Sequence, residues 1–230
     1  MARLSVEQIM KTIAATVNQE ATAPTSGGSE YNLWLEYMNR SLQEWSDAHD
    51  WEDLRKIYFP GVTGTSQATV TMPLDYKKLA ASPVLHLFNN GVGGEEFPEE
   101  TEEFRKLHKP TDKYFSELGN LSAGFSLIFN PATLASGASL EVQYFSVPTS
   151  LASPADIPPV SDSQFLADRT ISYIFEARSD PRFQQQETKA REKLLQMIEM
   201  HDMKKYNAYG SPNYVKNGPL TRRGFRMGRD

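Results

Sequence analysis

Arg222, Arg223, Arg226 and Arg229 fall within eight residues near the C-terminal end of the chain. Guanidiniums this close together can neutralise phosphates or pair with carboxylates. Tyr209, Tyr214, Leu220 and Phe225 stand before and among them. A basic segment with spaced apolar anchors can dock along a protein surface by folding onto it. The same arginines would give duplex DNA a modest, salt-sensitive affinity. Two readings follow: an arm that binds a protein partner, and a DNA-binding assembly factor that uses the basic arm. The sign of the rest of the chain favours the first. Lys204 to Asp230 hold seven basic residues and one acidic, a charge of +6, so a total of −5 leaves −11 on residues 1–203. An acidic body repels phosphate.

Groups that would make an enzyme are not assembled in the sequence. There are no cysteines, which excludes disulfides, thiolate metal sites and a Cys nucleophile. His49, His86, His108 and His201 are far apart, and none belongs to a two-histidine ligand motif. Asn89-Asn90-Gly91-Val92-Gly93-Gly94 lacks the Lys-Ser/Thr of a phosphate loop and runs into acidic residues, so it reads as a turn. Glu99, Glu100, Glu102 and Glu103 read as the solvated face of a short helix from Glu99 to Leu107 rather than a catalytic pair. We therefore expect no catalytic residues, no cofactor and no metal.

The elements that would carry the arm can be read from periodicity. Ser5 and Gln8 have capping-box spacing, and Val6, Ile9, Ile13 and Val17 then mark one face of a helix over about 5–20. Ala21 to Ser29 is a loop of Pro, Gly and Ser. From Glu30 to His49, Tyr31, Trp34, Leu35, Met38, Leu42 and Trp45 predict a second helix with an aromatic stripe, best explained as core. Between Arg55 and Pro148 the period changes to two. Lys56–Phe59, Ala68–Met72, Val84–Phe88, Phe125–Phe129 and Leu140–Phe145 read as strands of a mostly antiparallel module. Ser161 and Gln164 predict the start of a third helix, and Asp180-Pro181 starts a fourth that reaches about Tyr206. Their short connection implies antiparallel pairing. Asn207 to Asp230 has too many breakers for a helix and reads as an extended arm.

The expected fold class is therefore α+β. A helical bundle forms from both chain ends, with an inserted antiparallel β domain and an extended C-terminal arm. The divisions are 1–54 and 151–206 for the helical domain, 55–150 for the β domain and 207–230 for the arm. No stretch approaches the roughly 20 apolar residues that span a bilayer, so no membrane partner is expected and synthesis in a cytoplasm is.

Several stretches carry a further likeness. They are Tyr31-Asn32-Leu33-Trp34-Leu35-Glu36-Tyr37-Met38-Asn39-Arg40 through Trp45 to Trp51-Glu52-Asp53-Leu54-Arg55, then Met72-Pro73-Leu74-Asp75-Tyr76-Lys77-Lys78-Leu79. Later come Leu140 to Pro148, Ile157-Pro158-Pro159 and the paired terminal helices. In this order they resemble the head-to-tail adaptor, or connector, proteins of tailed bacteriophages, of the tail tubular protein A type. The resemblance implies a structural virion protein in the neck, not an enzyme. It implies a homo-oligomeric, dodecameric ring between the portal protein and a tail or nozzle protein, through which DNA passes without specific binding. It also implies that the arm, with Tyr209, Tyr214, Leu220, Arg222, Arg223, Phe225, Arg226 and Arg229, reaches the portal.

Overall fold

The computed structural model describes residues 3–60, 69–80, 84–89, 92–99, 114–120, 124–130 and 139–209; for 84–89, 92–98, 130, 139–140 and 204–209 this is backbone alone. These residues form a mixed α+β fold with four α-helices and two small antiparallel sheets. They group into two compact units, one from 1–41 with 162–230 and one from 42–161.

In the first unit, α1 (Val6–Val17) begins at the expected capping box. Ser5 accepts from the Gln8 backbone N–H, and the Gln8 side chain accepts from the Ser5 N–H. Its buried residues, Val6, Ile9, Met10, Ile13, Ala14 and Val17, make one stripe at helical spacing. Gly27, with φ of 81°, turns the chain into α2 (Ser29–Ala48), which runs past the boundary between the units. Within the first unit, Tyr31, Trp34 and Met38 of α2 are buried.

Helix α3 (Ser163–Ala177) is capped by Asp162 rather than Ser161. The Asp162 carboxylate accepts from the Gln164 N–H at 3.0 Å, one residue closer than the capping-box reading places it. Ten of its residues are buried, from Phe165 to Phe175, so it is central and packs against both α1 and α4 (Phe183–Tyr209). Between α3 and α4, Ser179 takes a left-handed conformation with φ of 53°. Asp180 then accepts from the Arg182 N–H at 2.9 Å. The side chain and backbone of Arg182 hold Asp180 at about 2, and the Arg182 guanidinium lies 4.3 Å from the Phe175 ring centre.

In the second unit a 3₁₀ turn (Glu52–Leu54) leads into β1 (Arg55–Tyr58). There follow β2 (Thr69–Thr71), β3 (Tyr76–Leu79), β4 (Val84–Asn89), β5 (Val92–Pro98), β6 (Tyr114–Asn120), β7 (Gly124–Asn130) and β8 (Ser139–Ser146). One sheet has the order β1-β8-β4-β5, with β3 also pairing β8; the other is β2-β7-β6. Both sheets contribute to one core. Val142, Tyr144 and Tyr76 of the first meet Val70, Phe115, Leu127 and Phe129 of the second, with Met72 between β2 and β3. Each such burial contributes about 1.5–3 kcal/mol. Gly119 in β6 has φ of 133°, and an added Cβ would collide with the Gly124 carbonyl oxygen, so the tight β6–β7 hairpin requires glycine there.

Candidate functional site

Of the eight residues expected to form the docking arm, Tyr209 alone is among the described residues. Tyr214, Leu220, Arg222, Arg223, Phe225, Arg226 and Arg229 lie outside the described residues. Tyr209 is described by its backbone, and it is the last residue of α4. The helix thus runs three residues beyond the expected end at Tyr206, because Asn207-Ala208-Tyr209 contains no breaker and Gly210-Ser211-Pro212 is the first.

The other residues singled out in the sequence fall on several elements. His49 meets Trp51 edge-on at 5.0 Å, His86 lies on β4, His201 is half-buried on α4, and His108 lies outside the described residues. Asn89 and Val92 pair across the connection from β4 to β5, while Gly93 and Gly94 belong to β5. Glu99 bridges to Phe115 of β6, and the rest of the expected acidic helix lies outside the described residues. Burial, together with the nearby Glu117 charge, pushes the Glu99 carboxyl up.

Charges do converge at Asp75-Tyr76-Lys77-Lys78, at the start of β3. Lys56 Nζ of β1 approaches Asp75 Oδ2 at 2.5 Å, and the Tyr144 hydroxyl of β8 donates to Asp75 Oδ1 at 3.0 Å. Tyr76 donates to Glu117 at 2.7 Å, which together with burial pushes its hydroxyl far up. Lys77 Nζ donates to the Ser46 carbonyl and to Asp47, both at 2.7 Å, where a cation suits the C-terminal end of α2. Lys78 pairs with Asp50 at 2.6 Å. Four consecutive side chains thus pin β3 to β1, β6, β8 and the end of α2. Each polar group is spent on another part of the same unit, which makes the cluster a fastening rather than a centre for chemistry.

This fastening should be visible in the pH dependence of stability. Burial alone would raise the Asp75 carboxyl, but the Lys56 and Tyr144 hydrogen bonds hold it below its ordinary range. Its contribution is therefore present above the unfolded value of about 3.9 and lost as pH falls through the lower folded value. Tyr144 is pushed up to about 12 by burial and by its bond to Asp75. That contribution is present below about 10 and lost as pH rises through 12. We expect Asp75→Asn to flatten the acid limb of a stability–pH curve and Tyr144→Phe to flatten the alkaline one. Urea unfolding from pH 2 to 12 checks both, and unchanged limbs would remove this account of the cluster.

Apolar side chains also stand exposed on the surface of the described residues. On α4, Leu195, Met200 and Met203 are 60–64% exposed, while Ala190 and Met197 are buried. In the second unit Ile57, Phe59 and Leu74 are exposed, Leu74 fully so, at a turn closed by the Tyr76 N–H on the Pro73 carbonyl. Apolar side chains held out on ordered backbone are candidate contact points for another chain. The sequence matches no family model, and a search of the curated proteins finds no match. No helix among the described residues is long and apolar enough to cross a membrane. The spacing of α4 would have revealed its exposed residues as a second apolar edge, because Leu195, Met200 and Met203 fall outside the face that carries Ala190, Leu194, Met197 and Ile198.

Proposed function

We propose that this chain is a structural subunit of the ring that joins head to tail in a tailed bacteriophage, and that it has no catalytic role. In this reading the two chain ends form a helical bundle, the β module is an insertion, and the stretch after α4 is an extended arm that docks on the portal protein. The observation that carries it is the exposed row Leu195, Met200 and Met203 on a 27-residue helix that buries Ala190 and Met197 on its other side. A lone subunit leaves that row in water, whereas a closed ring repeats one contact around its circumference and covers it. An acidic body with a basic end suits a channel that DNA must pass without adhering, the cationic residues being kept for protein contact.

The test is co-assembly with the portal protein of the same phage, followed by electron microscopy. Deletion of Gly210 to Asp230 leaves α4 whole and should weaken portal binding at least about tenfold, since several charge-assisted contacts are lost together. Unchanged co-assembly would sink the reading. Retention of the full chain on duplex DNA at physiological salt, abolished by Arg-to-Ala changes at 222, 223, 226 and 229, would replace it with the DNA-binding alternative.

A further inference from the structure

A groove between α2 and α3 encloses about 300 Å³ and is lined by Leu33, Trp34, Tyr37, Ile174 and Ala177. That volume is at the small end for a ligand site and admits one large side chain rather than a cofactor. At one end Arg178 is matched by Glu30 at 3.2 Å and by Asn18. At the other, the Arg40 guanidinium lies 4.3 Å from the Tyr173 ring centre, with the Tyr37 ring tilted against the same ring at 5.8 Å. Arg169 lies 4.5 Å from that ring too, but it is turned toward Glu187 and Ser172. Arg40 is exposed and has no ion pair or hydrogen bond among the described residues, even with Glu36 one turn away. A guanidinium held flat by a ring keeps its N–H fork available and aligned for an oxyanion.

Leu33, Tyr37 and Arg40 follow one another at i, i+4 and i+7, so the apolar pocket and the cation are about 10 Å apart along α2. The fitting ligand is a peptide with a large apolar side chain and a carboxylate two to four residues away, the same span in an extended chain. This sequence contains such a segment in Glu99-Glu100-Thr101-Glu102-Glu103-Phe104, where Glu102 and Glu100 stand two and four residues before the phenylalanine. We propose that the α2–α3 groove receives the Glu99–Phe104 segment of a second copy of this chain, with Phe104 in the pocket and a glutamate on Arg40.

A protein carboxylate fits better than DNA. The segment brings a few charges that the single cation can select among, whereas a duplex brings a phosphate about every 1.7 Å against the neighbouring Glu36 and Glu30. The inference gives the ring reading one of its subunit contacts, and rests on that reading only for the number of copies involved.

The experiment uses the full chain carrying Phe104→Ala, which leaves the groove free, and a fluorescent peptide of Glu99 to Leu107. Polarisation should show saturable binding below about 1 mM, weakened about tenfold by Arg40→Gln, by Leu33→Glu, or by alanine at Phe104 of the peptide. Added salt from about 0.05 to 0.5 M should weaken it further, and duplex DNA should not compete. No binding, equal binding to the Arg40→Gln chain, or displacement by duplex would each overturn the inference. Circular dichroism establishes that the receptor variants are folded, and Arg40→Lys, which keeps the charge but not the planar fork, should bind more weakly than the parent and more tightly than Arg40→Gln. A chain that fails this test yet still rings on the portal loses the groove contact alone; one that binds the peptide but never joins a portal loses the connector reading alone.

Discussion

Replacing Trp45 with alanine should cost about 3–5 kcal/mol, the largest loss expected from any single change in the second unit. Trp45 is fully buried and stacks on Trp51 with ring centres 5.0 Å apart and planes 14° from parallel. Truncation removes the larger part of a bulky aromatic pair and leaves a cavity that a continuous helix backbone cannot collapse to fill. The two indoles differ in their polar ends. Trp51 Nε1 donates to the Trp45 carbonyl at 2.6 Å, whereas Trp45 Nε1 is buried without an acceptor among the described residues. Trp51→Phe should therefore lose about 1–3 kcal/mol for the stranded carbonyl beyond its lost volume, while Trp45→Phe loses volume alone and even sheds an unmet donor. Urea unfolding of Trp45→Ala, Trp45→Phe and Trp51→Phe decides the matter. A Trp45→Ala protein within about 1 kcal/mol of the parent would mean that the stack does not hold the end of α2 in place.

How far these arrangements could be read in advance depends on where the information lies along the chain. Helix α1 is legible because its cap is local, with Ser5 and Gln8 three residues apart and the apolar stripe following at once. The cap of α3 differs by one residue because Ser161 and Asp162 both offer a side-chain oxygen, and geometry decides which one reaches the Gln164 N–H. Strand β3 is obscured by Lys77-Lys78, which shows no alternation; those lysines are satisfied by Asp47 and Asp50, thirty and twenty-eight residues earlier. Strands β5 and β6 likewise carry Gly, Glu, Pro and Asn, so their pairing partners rather than their own propensities specify them. The candidate surfaces are hidden for a related reason. The aromatic stripe of α2 announces a core, but the exposure of Leu33 and the free fork of Arg40 depend on where α3 lies beside it. The cationic end of the chain announces charge, and it lies outside the described residues.

The second large effect should come from Asp168, the one buried carboxylate of α3. Its Oδ1 accepts from Gln164 at 3.0 Å, from Gln186 at 3.0 Å and from Lys189 at 2.8 Å, so a single oxygen ties α3 to α4 across the left-handed turn at Ser179. Breaking a buried ion pair ordinarily costs 3–5 kcal/mol because the surviving charge is stranded. Here the partners are unequal, since the Asp168 side chain is 2% exposed and that of Lys189 is 58%. Once Asp168 is gone, Lys189 can turn into water, and the remaining penalty is the loss of acceptor for two glutamine amides. We therefore expect Asp168→Leu to cost about 2–3 kcal/mol and Lys189→Met to cost more than an exposed lysine normally would, because it strands the carboxylate instead. The double variant should recover part of the sum, which a double-mutant cycle measures directly. If the ring reading holds, the same loosening displaces the row Leu195, Met200 and Met203 further along α4, so Asp168→Leu should weaken subunit association even at temperatures where the monomer remains folded. Full association by a destabilised Asp168→Leu chain would show that α4 makes no contact between subunits.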